Sequence, residues 1–332
     1  MNDNLWVEKY RPKHVLDISH QVDVTNMLSH VLRSGNMPHL LFHGPPGTGK
    51  TSAIIALSRE LFGPNEYKNR VLELNASDER GISVVREKIK SWTRQVVQHN
   101  KTHELTGKQL PSWKIVVLDE AEMMTADAQS ALRRIIEVSA KNTRFVIICN
   151  YLSKIIEPLA SRCAKFRFQP ISKKSQIERL NYICSQEKIL CEEGLLETIV
   201  EISQGDLRRG ITILQSASEL LGKDRKINVS SIVDISGIPP KIITERVVSS
   251  CKTGGTESIL MEAERLINEG WSASLILKNL TEFVVNCAHI DDSKKAFLML
   301  RISEADACVT DGSNEFLTLL NICSSLQTVL TH

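Results

Sequence analysis

The chain has no long apolar run, no surplus of charge and no paired cysteines, and each absence removes a class of protein. Nothing approaches the ~18 consecutive apolar residues of a membrane span, so no membrane partner is expected. Lysine plus arginine number 41 against 39 aspartate plus glutamate, a net charge of only +2. Any surface for nucleic acid must therefore come from local clustering. The 8 cysteines are scattered from Cys149 to Cys323, and no two stand at CxxC spacing. They read as small buried apolar residues in a reducing compartment rather than as a zinc site. The opening "MNDNLWVEKYRP" has no apolar stretch, so no secretory leader is expected. No internal repeat and no low-complexity segment is visible.

What is present is a chain of 332 residues, 42% hydrophobic, with room for two or three domains. The first half alternates strand and helix. "HLLFH" (39–43) runs into a Gly-Pro-Pro turn, and a helix follows from about Lys50 to Phe62, where Gly63-Pro64 should stop it. "RVLELN" (70–75) alternates like a strand, and Val85, Ile89, Trp92 and Val96 recur after Ile82 at helical spacing. "HNKTHELTGKQLPS" reads as a long exposed loop. "KIVVLD" (114–119) and "TRFVIIC" (143–149) are unbroken apolar runs, the mark of strands buried on both faces. Another helix should follow Thr125. The pattern predicts an α/β domain with a parallel sheet covered on both sides. Strand signal stops after "KFRFQP" (165–170); three helices are expected over 172–222, and about five more over 228–332, broken at Gly237–Pro240, Gly254-Gly255, Gly270 and Asp311–Asn314. The predicted domains are an ATPase domain over 1–164, a helical lid over 165–226 and a helical domain over 227–332.

The chemistry lies in the α/β part. "GPPGTGKT" (44–51) fits G-x-x-x-x-G-K-[ST] between a strand and a helix. Gly44, Pro45, Pro46, Gly47, Thr48, Gly49 and Ser52 belong to a loop and helix start whose backbone N–H groups can wrap phosphates. Lys50 is placed for the β- and γ-phosphates of ATP, and Thr51 for Mg²⁺. "IVVLDEAE" (115–122) ends a buried strand at the ligand edge of such a sheet. Asp119 suits the Mg²⁺ shell, and Glu120 can orient and polarise the attacking water. Asn150 follows the next buried strand on the same edge, where its amide can meet the γ-phosphate or the water, or form a turn. Arg208 in "GDLRRG" can lean from the lid onto the phosphates, or lie solvated.

These residues resemble the small subunits of eukaryotic replication factor C, the AAA+ sliding-clamp loader. The match rests on "WVEKYRP" (6–12), "GPPGTGKT", "LNASDERG" (74–81), "LDEAE", "AQSALRR" (128–134), "ICNYLSKIIEPLASRC" (148–163) and "GDLRRGITILQ" (205–215), in the family order over about the first 220 residues. Three departures stand out. "DEAE" replaces the more usual DEAD, a change expected to be mild at Glu122; Gly210 stands where alanine is frequent; and the zinc cysteines of bacterial loader ATPases are absent. No extension precedes "WVEKYRP", which points away from the large subunit. The resemblance implies a nuclear heteropentamer acting in DNA replication and repair. Its C-terminal helices form a collar, and its ATPase domains spiral round primer–template DNA. ATP binding opens the clamp and hydrolysis releases it, with weak turnover expected of the isolated chain. It also implies that Tyr10, Arg11 and Pro12 contact the base, and that Arg162 of "SRC" is an arginine finger for a neighbouring subunit's ATP.

Arg86, Lys90 and Arg94 recur every four residues beside the apolar face of one helix. Alone, such a stripe is most often a solvated face. With the resemblance, it predicts sequence-independent tracking of DNA phosphates. Arg133 and Arg134 are weaker candidates. Two alternatives remain open: a scaffold subunit that binds ATP but seldom hydrolyses it, and another AAA+ DNA-remodelling machine. A protein unfoldase would need an aromatic-glycine pore loop, which "HELTGKQLPSW" lacks.

Overall fold

The computed structural model describes the chain except residues 1–4, 19–20, 78–81, 96–101, 104–106, 108, 222–225, 254, 289 and 332, and except the side chains of 82–86, 221, 241, 253 and 331. It divides into two compact units, Met1–Ile227 and Asn228–His332. In the first, α1 (Trp6–Lys9) and α2 (Val22–Ser34) precede β1 (Leu40–His43), α3 (Lys50–Arg70), β2 (Val71–Asn75), α4 (Ile82–Arg94) and β3 (Lys114–Asp119). Then come α5 (Ala126–Ser139), β4 (Thr143–Cys149), α6 (Glu157–Ala160), β5 (Ala164–Arg167) and the lid helices α7 (Lys173–Glu187), α8 (Leu195–Ser203) and α9 (Leu207–Leu221).

The five strands are all parallel, in the order β2-β3-β4-β1-β5. Side chains alternate between two cores, as strand geometry requires. Leu40, Phe42, Ile115, Val117, Val146 and Ile148 pack on one side with Leu28, Ile54 and Leu57. Leu41, Val116, Leu118, Phe145 and Ile147 pack on the other with Leu132, Ile136 and Leu159. This double burial is why the central strands are unbroken apolar runs. It also fixes the site: β1, β3 and β4 all end at one edge, with β4 between the other two.

Two local expectations change. Gly63-Pro64 interrupts α3 without ending it. Gly63 leaves helical geometry at φ 73° and ψ 169°, and the helix resumes through Pro64 to Arg70. Pro64 opens the new turn, where its missing N–H costs nothing. The stretch expected as one long exposed loop is partly folded in: His103 and Leu110 are buried, and Thr102 bridges Gln109 in antiparallel fashion.

Thr125 and Ser172 cap α5 and α7 by accepting hydrogen bonds from the backbone N–H groups of Ala128 and Ser175. In α9, Gly210 is buried, and a Cβ there would lie 3.4 Å from Ile199 and 3.6 Å from Ser203, ordinary contact distances. Gly210→Ala is therefore expected to stabilise the first unit by about 0.5–1 kcal/mol, read as a raised midpoint in thermal unfolding.

The second unit is helical: α10 (Val229–Ser236), α11 (Lys241–Thr253), α12 (Thr256–Asn268), α13 (Ala273–Asn286), α14 (Asp292–Thr310) and α15 (Glu315–Thr331). Val247, Leu266, Leu280, Leu298, Leu319 and Leu326 lie in its core. The break between α13 and α14 carries no glycine or proline. Asp291 makes it, its carboxylate accepting from Ser293 N at 3.2 Å. Among the described residues no helix is long and apolar enough to cross a membrane.

Candidate functional site

The site is built where the strands end. After β1, the chain turns sharply at Gly44, with φ 146°; a Cβ there would lie 2.3 Å from the carbonyl oxygen of Phe168. Gly47, with φ 71°, faces the lid: a Cβ would fall 1.9 Å from Oδ1 of Asp206. Only glycine fits either position. The loop thus passes between the segment following β5 and the start of α9, then enters α3 at Lys50.

Lys50 is buried, at 8% exposure. Its Nζ donates to the carbonyl oxygens of Gly44 and Pro45, each at 2.7 Å, and to Oδ1 of Asn150 at 2.9 Å. Burial pulls its pKa below the ordinary lysine value; Asp119, Glu122 and Cys149 pull it back up, and Arg208 pushes it down. That last influence puts Arg208 within electrostatic reach of the phosphate-loop lysine, although the side chain is exposed and α9 belongs to the lid. Asp206 starts α9, its Oδ1 accepting from the backbone N–H groups of Arg208 and Arg209.

Thr51 Oγ1 donates to Asp119 Oδ2 at 2.6 Å, bringing the hydroxyl and the carboxylate together at the ends of α3 and β3. Two hard oxygens at one point, open to water and phosphate, fit Mg²⁺, which keeps several waters and uses few protein ligands. Among the described residues no group of three or more His, Cys, Asp or Glu side chains is placed to hold a metal by itself. Glu120 has left-handed backbone geometry, φ 52° and ψ 39°, rare for a residue with a side chain. Its N–H donates to Asp119 Oδ1 at 2.9 Å.

Asn150 lies between the loop and Asp119, because β4 lies between β1 and β3. Glu122 Oε1 accepts from its backbone N–H at 3.0 Å and from Nδ2 at 2.8 Å. The sequence marks Glu122 only as a mild departure from DEAD, with no contact to Asn150 expected. Sequence reasoning also missed buried Gln129 of α5, whose amide nitrogen donates to the carbonyls of Met124 and Lys154 while its oxygen accepts from Ile156 N. Gln129 falls within the motif AQSALRR, but nothing in its spacing gives it this role; only the fold brings those two loops together.

The residues expected at the base lie against the lid. Tyr10 OH donates to Glu187 Oε1 at 2.5 Å, its ring stands edge-on to Tyr182 at 6.2 Å, and Arg179 donates to its carbonyl oxygen at 2.5 Å. Arg11 pairs with Glu8 at 2.6 Å, and Pro12 is half-buried. On α4, Ile89 is buried, Lys90 half-buried and Arg94 exposed. The helix backbone puts positions 86, 90 and 94 on one face, but the side chain of Arg86 lies outside the described residues. Arg162 is exposed: it donates to the carbonyl of Pro158 at 2.6 Å and pairs with Glu137 at 2.5 Å.

A five-stranded parallel sheet in this order, with a phosphate loop after β1, acidic residues after β3 and a polar residue after β4, defines an ATPase of the AAA+ class. The AAA family (ATPase family associated with various cellular activities) matches residues 40–171, the RCF1/5-like AAA+ ATPase lid domain 178–218, and the replication factor C C-terminal domain 238–325. The chain is 47% identical to replication factor C subunit 4 of Arabidopsis thaliana over 96% of this chain and 94% of that one. It is 45% identical to subunit 2 of Saccharomyces cerevisiae (96% and 91%) and 44% identical to subunit 4 of Homo sapiens (98% and 88%). The chain belongs to the replication factor C small subunits, AAA+ ATPases of the clamp loader for DNA replication. A Holliday junction branch migration motor, RuvB of Thermotoga maritima, is similar at TM-score 0.52 and 17% identity over 74% of this chain and 80% of that one, a likeness of fold alone.

Proposed function

We propose that this chain hydrolyses ATP as one subunit of a nuclear hetero-oligomer, a pentamer with other replication factor C subunits. The assembly would open a sliding clamp and close it round primer–template DNA during replication and repair. The observation that carries the reading is the convergence of Lys50, Thr51, Asp119 and Asn150 at one strand edge. In this reading the loop from Gly44 to Gly49 and the start of α3, with Ser52, wrap the phosphates of ATP, and Lys50 exchanges its loop carbonyls for phosphate oxygens. Thr51 and Asp119 hold Mg²⁺, which when bound neutralises charge on the phosphates. Glu120 orients the water, Asn150 offers an amide N–H to it or to the γ-phosphate, and Arg208 reports phosphate occupancy to the lid. The Tyr10–Pro12 strap reaches the base, and through Glu187 and Arg179 it ties that pocket to α7. Lys90 and Arg94, with Arg86, face DNA phosphates.

Steady-state ATPase tests this reading: on the chain alone, with partner subunits, and then with clamp and primed DNA. Stimulation by clamp plus primed DNA is expected; turnover indifferent to both would reject clamp loading. Lys50→Ala is expected to abolish nucleotide binding by this chain, read by titration with a fluorescent ATP analogue, because the phosphates lose their main side-chain cation. Replacing Arg86, Lys90 and Arg94 with alanine should weaken DNA binding equally across sequences. The slope of log affinity against log salt should shrink by roughly 0.7–0.9 for each phosphate no longer neutralised. An unchanged slope with intact assembly would make the stripe a solvated face.

A further inference from the structure

We propose that Glu122 is a positioning residue for ATP hydrolysis, acting through Asn150. The inference rests on the reading of Asn150 as part of the nucleotide site. Glu122 sits in the short helical turn Ala121–Met123, just after the left-handed turn at Glu120 that swings the chain back toward the end of β4. One of its oxygens, Oε1, accepts both N–H groups that Asn150 directs at it, the backbone donor at 3.0 Å and the side-chain donor at 2.8 Å. The other oxygen, Oε2, is buried with no hydrogen-bond partner among the described residues. Such an atom calls for an explanation, and a role in positioning a neighbouring group is one.

The geometry decides which way round the Asn150 amide stands. Its carbonyl faces the Lys50 ammonium at 2.9 Å and its NH₂ faces the Glu122 carboxylate. Reversing the amide would set oxygen against carboxylate at one end and NH₂ against ammonium at the other. Glu122 therefore locks the orientation. It holds one of the two amide hydrogens and leaves the second for the γ-phosphate or the water. The acidic motif then divides its work: Asp119 meets Thr51, Glu120 stands at the strained edge, and Glu122 reaches across to the neighbouring strand.

The test uses the assembled complex, with hydrolysis confined to this chain's site by disabling the phosphate-loop lysines of the other subunits. Glu122→Ala is expected to lower kcat for ATP by roughly 10- to 100-fold, the scale of misplacing a catalytic group by an ångström, with KM changed less than about threefold. Glu122→Gln keeps a carbonyl oxygen at the position of Oε1 and should restore most of the rate. Glu122→Met keeps length and packing but accepts nothing, so it should behave like alanine; it serves if the alanine chain fails to assemble. Combining either damaging change with Asn150→Ala should add nothing to Asn150→Ala alone. Additive losses, a failure of glutamine to rescue, or wild-type kcat in Glu122→Ala and Glu122→Met would each overturn the proposal while leaving Asn150 in place. Wild-type kcat in Asn150→Ala itself would overturn the reading of Asn150, and this proposal with it.

Discussion

Glu120→Gln is expected to leave ATP bound at this site while turnover there falls by roughly 10²–10⁴-fold, the usual contribution of a positioned acid or base. The amide preserves size and can still point at a water, but it cannot take the water's proton. Glu120 belongs to neither of the contacts that hold the loop together: Lys50 is fixed by Gly44, Pro45 and Asn150, and Thr51 by Asp119. Its removal should therefore spare binding. Glu120 also holds a left-handed backbone, φ 52°, of a kind that costs about 1–3 kcal/mol and clusters at active sites, although Lys188 and Gln204 share it at helix ends. In the assembled complex the variant should stay in the ATP-bound state and retain clamp, measured as clamp co-eluting with loader in the presence of ATP. This behaviour is the opposite of Lys50→Ala, which should lose nucleotide and clamp together. Turnover of Glu120→Gln at the wild-type rate would show that another group activates the water.

How much of this was legible depends on the range of the cause. Strands buried on both faces announce themselves as unbroken apolar runs, so β3 and β4 and their polar end-residues Asp119 and Asn150 could be placed on one edge from sequence. The phosphate loop is equally local, because its glycines, Lys50 and Thr51 all fall within the eight consecutive residues 44–51. What could not be read was orientation across elements. The pairing of Glu122 with Asn150 joins residues 28 apart in sequence and depends on the turn at Glu120. The lid contacts of Tyr10 join it to Glu187, 177 residues away. The break before α14 was missed because a side-chain cap at Asp291 made it, without the glycine or proline that marks the others.

Arg162→Ala is expected to leave this chain's own ATP affinity nearly unchanged, and to slow hydrolysis at an adjacent subunit's site by roughly 10³–10⁵-fold, the range found for arginine fingers. The sheet register supplies the reason. Arg162 stands two residues before Ala164, which pairs with Leu40 at the start of β1, while the phosphate loop follows His43 at its far end. Four residues of strand separate those levels, about 13 Å. Arg162 and this chain's own phosphate loop thus lie at opposite ends of β1, and Lys50 is already met by Asn150. In the single chain Arg162 rests on Glu137, the intramolecular pairing that is the competing explanation of this arginine. With side chains 37% and 43% exposed, such a pair contributes about 0–1 kcal/mol, little enough to be given up when a phosphate is offered. The same guanidinium fork that meets a carboxylate also matches the charge that develops on a transferring phosphoryl group. The measurement is a complex in which only the adjacent site can hydrolyse, compared with and without Arg162. Equal turnover in the two would leave the arginine as a partner of Glu137 alone, and loss of ATP binding by the isolated Arg162→Ala chain would place it in its own site.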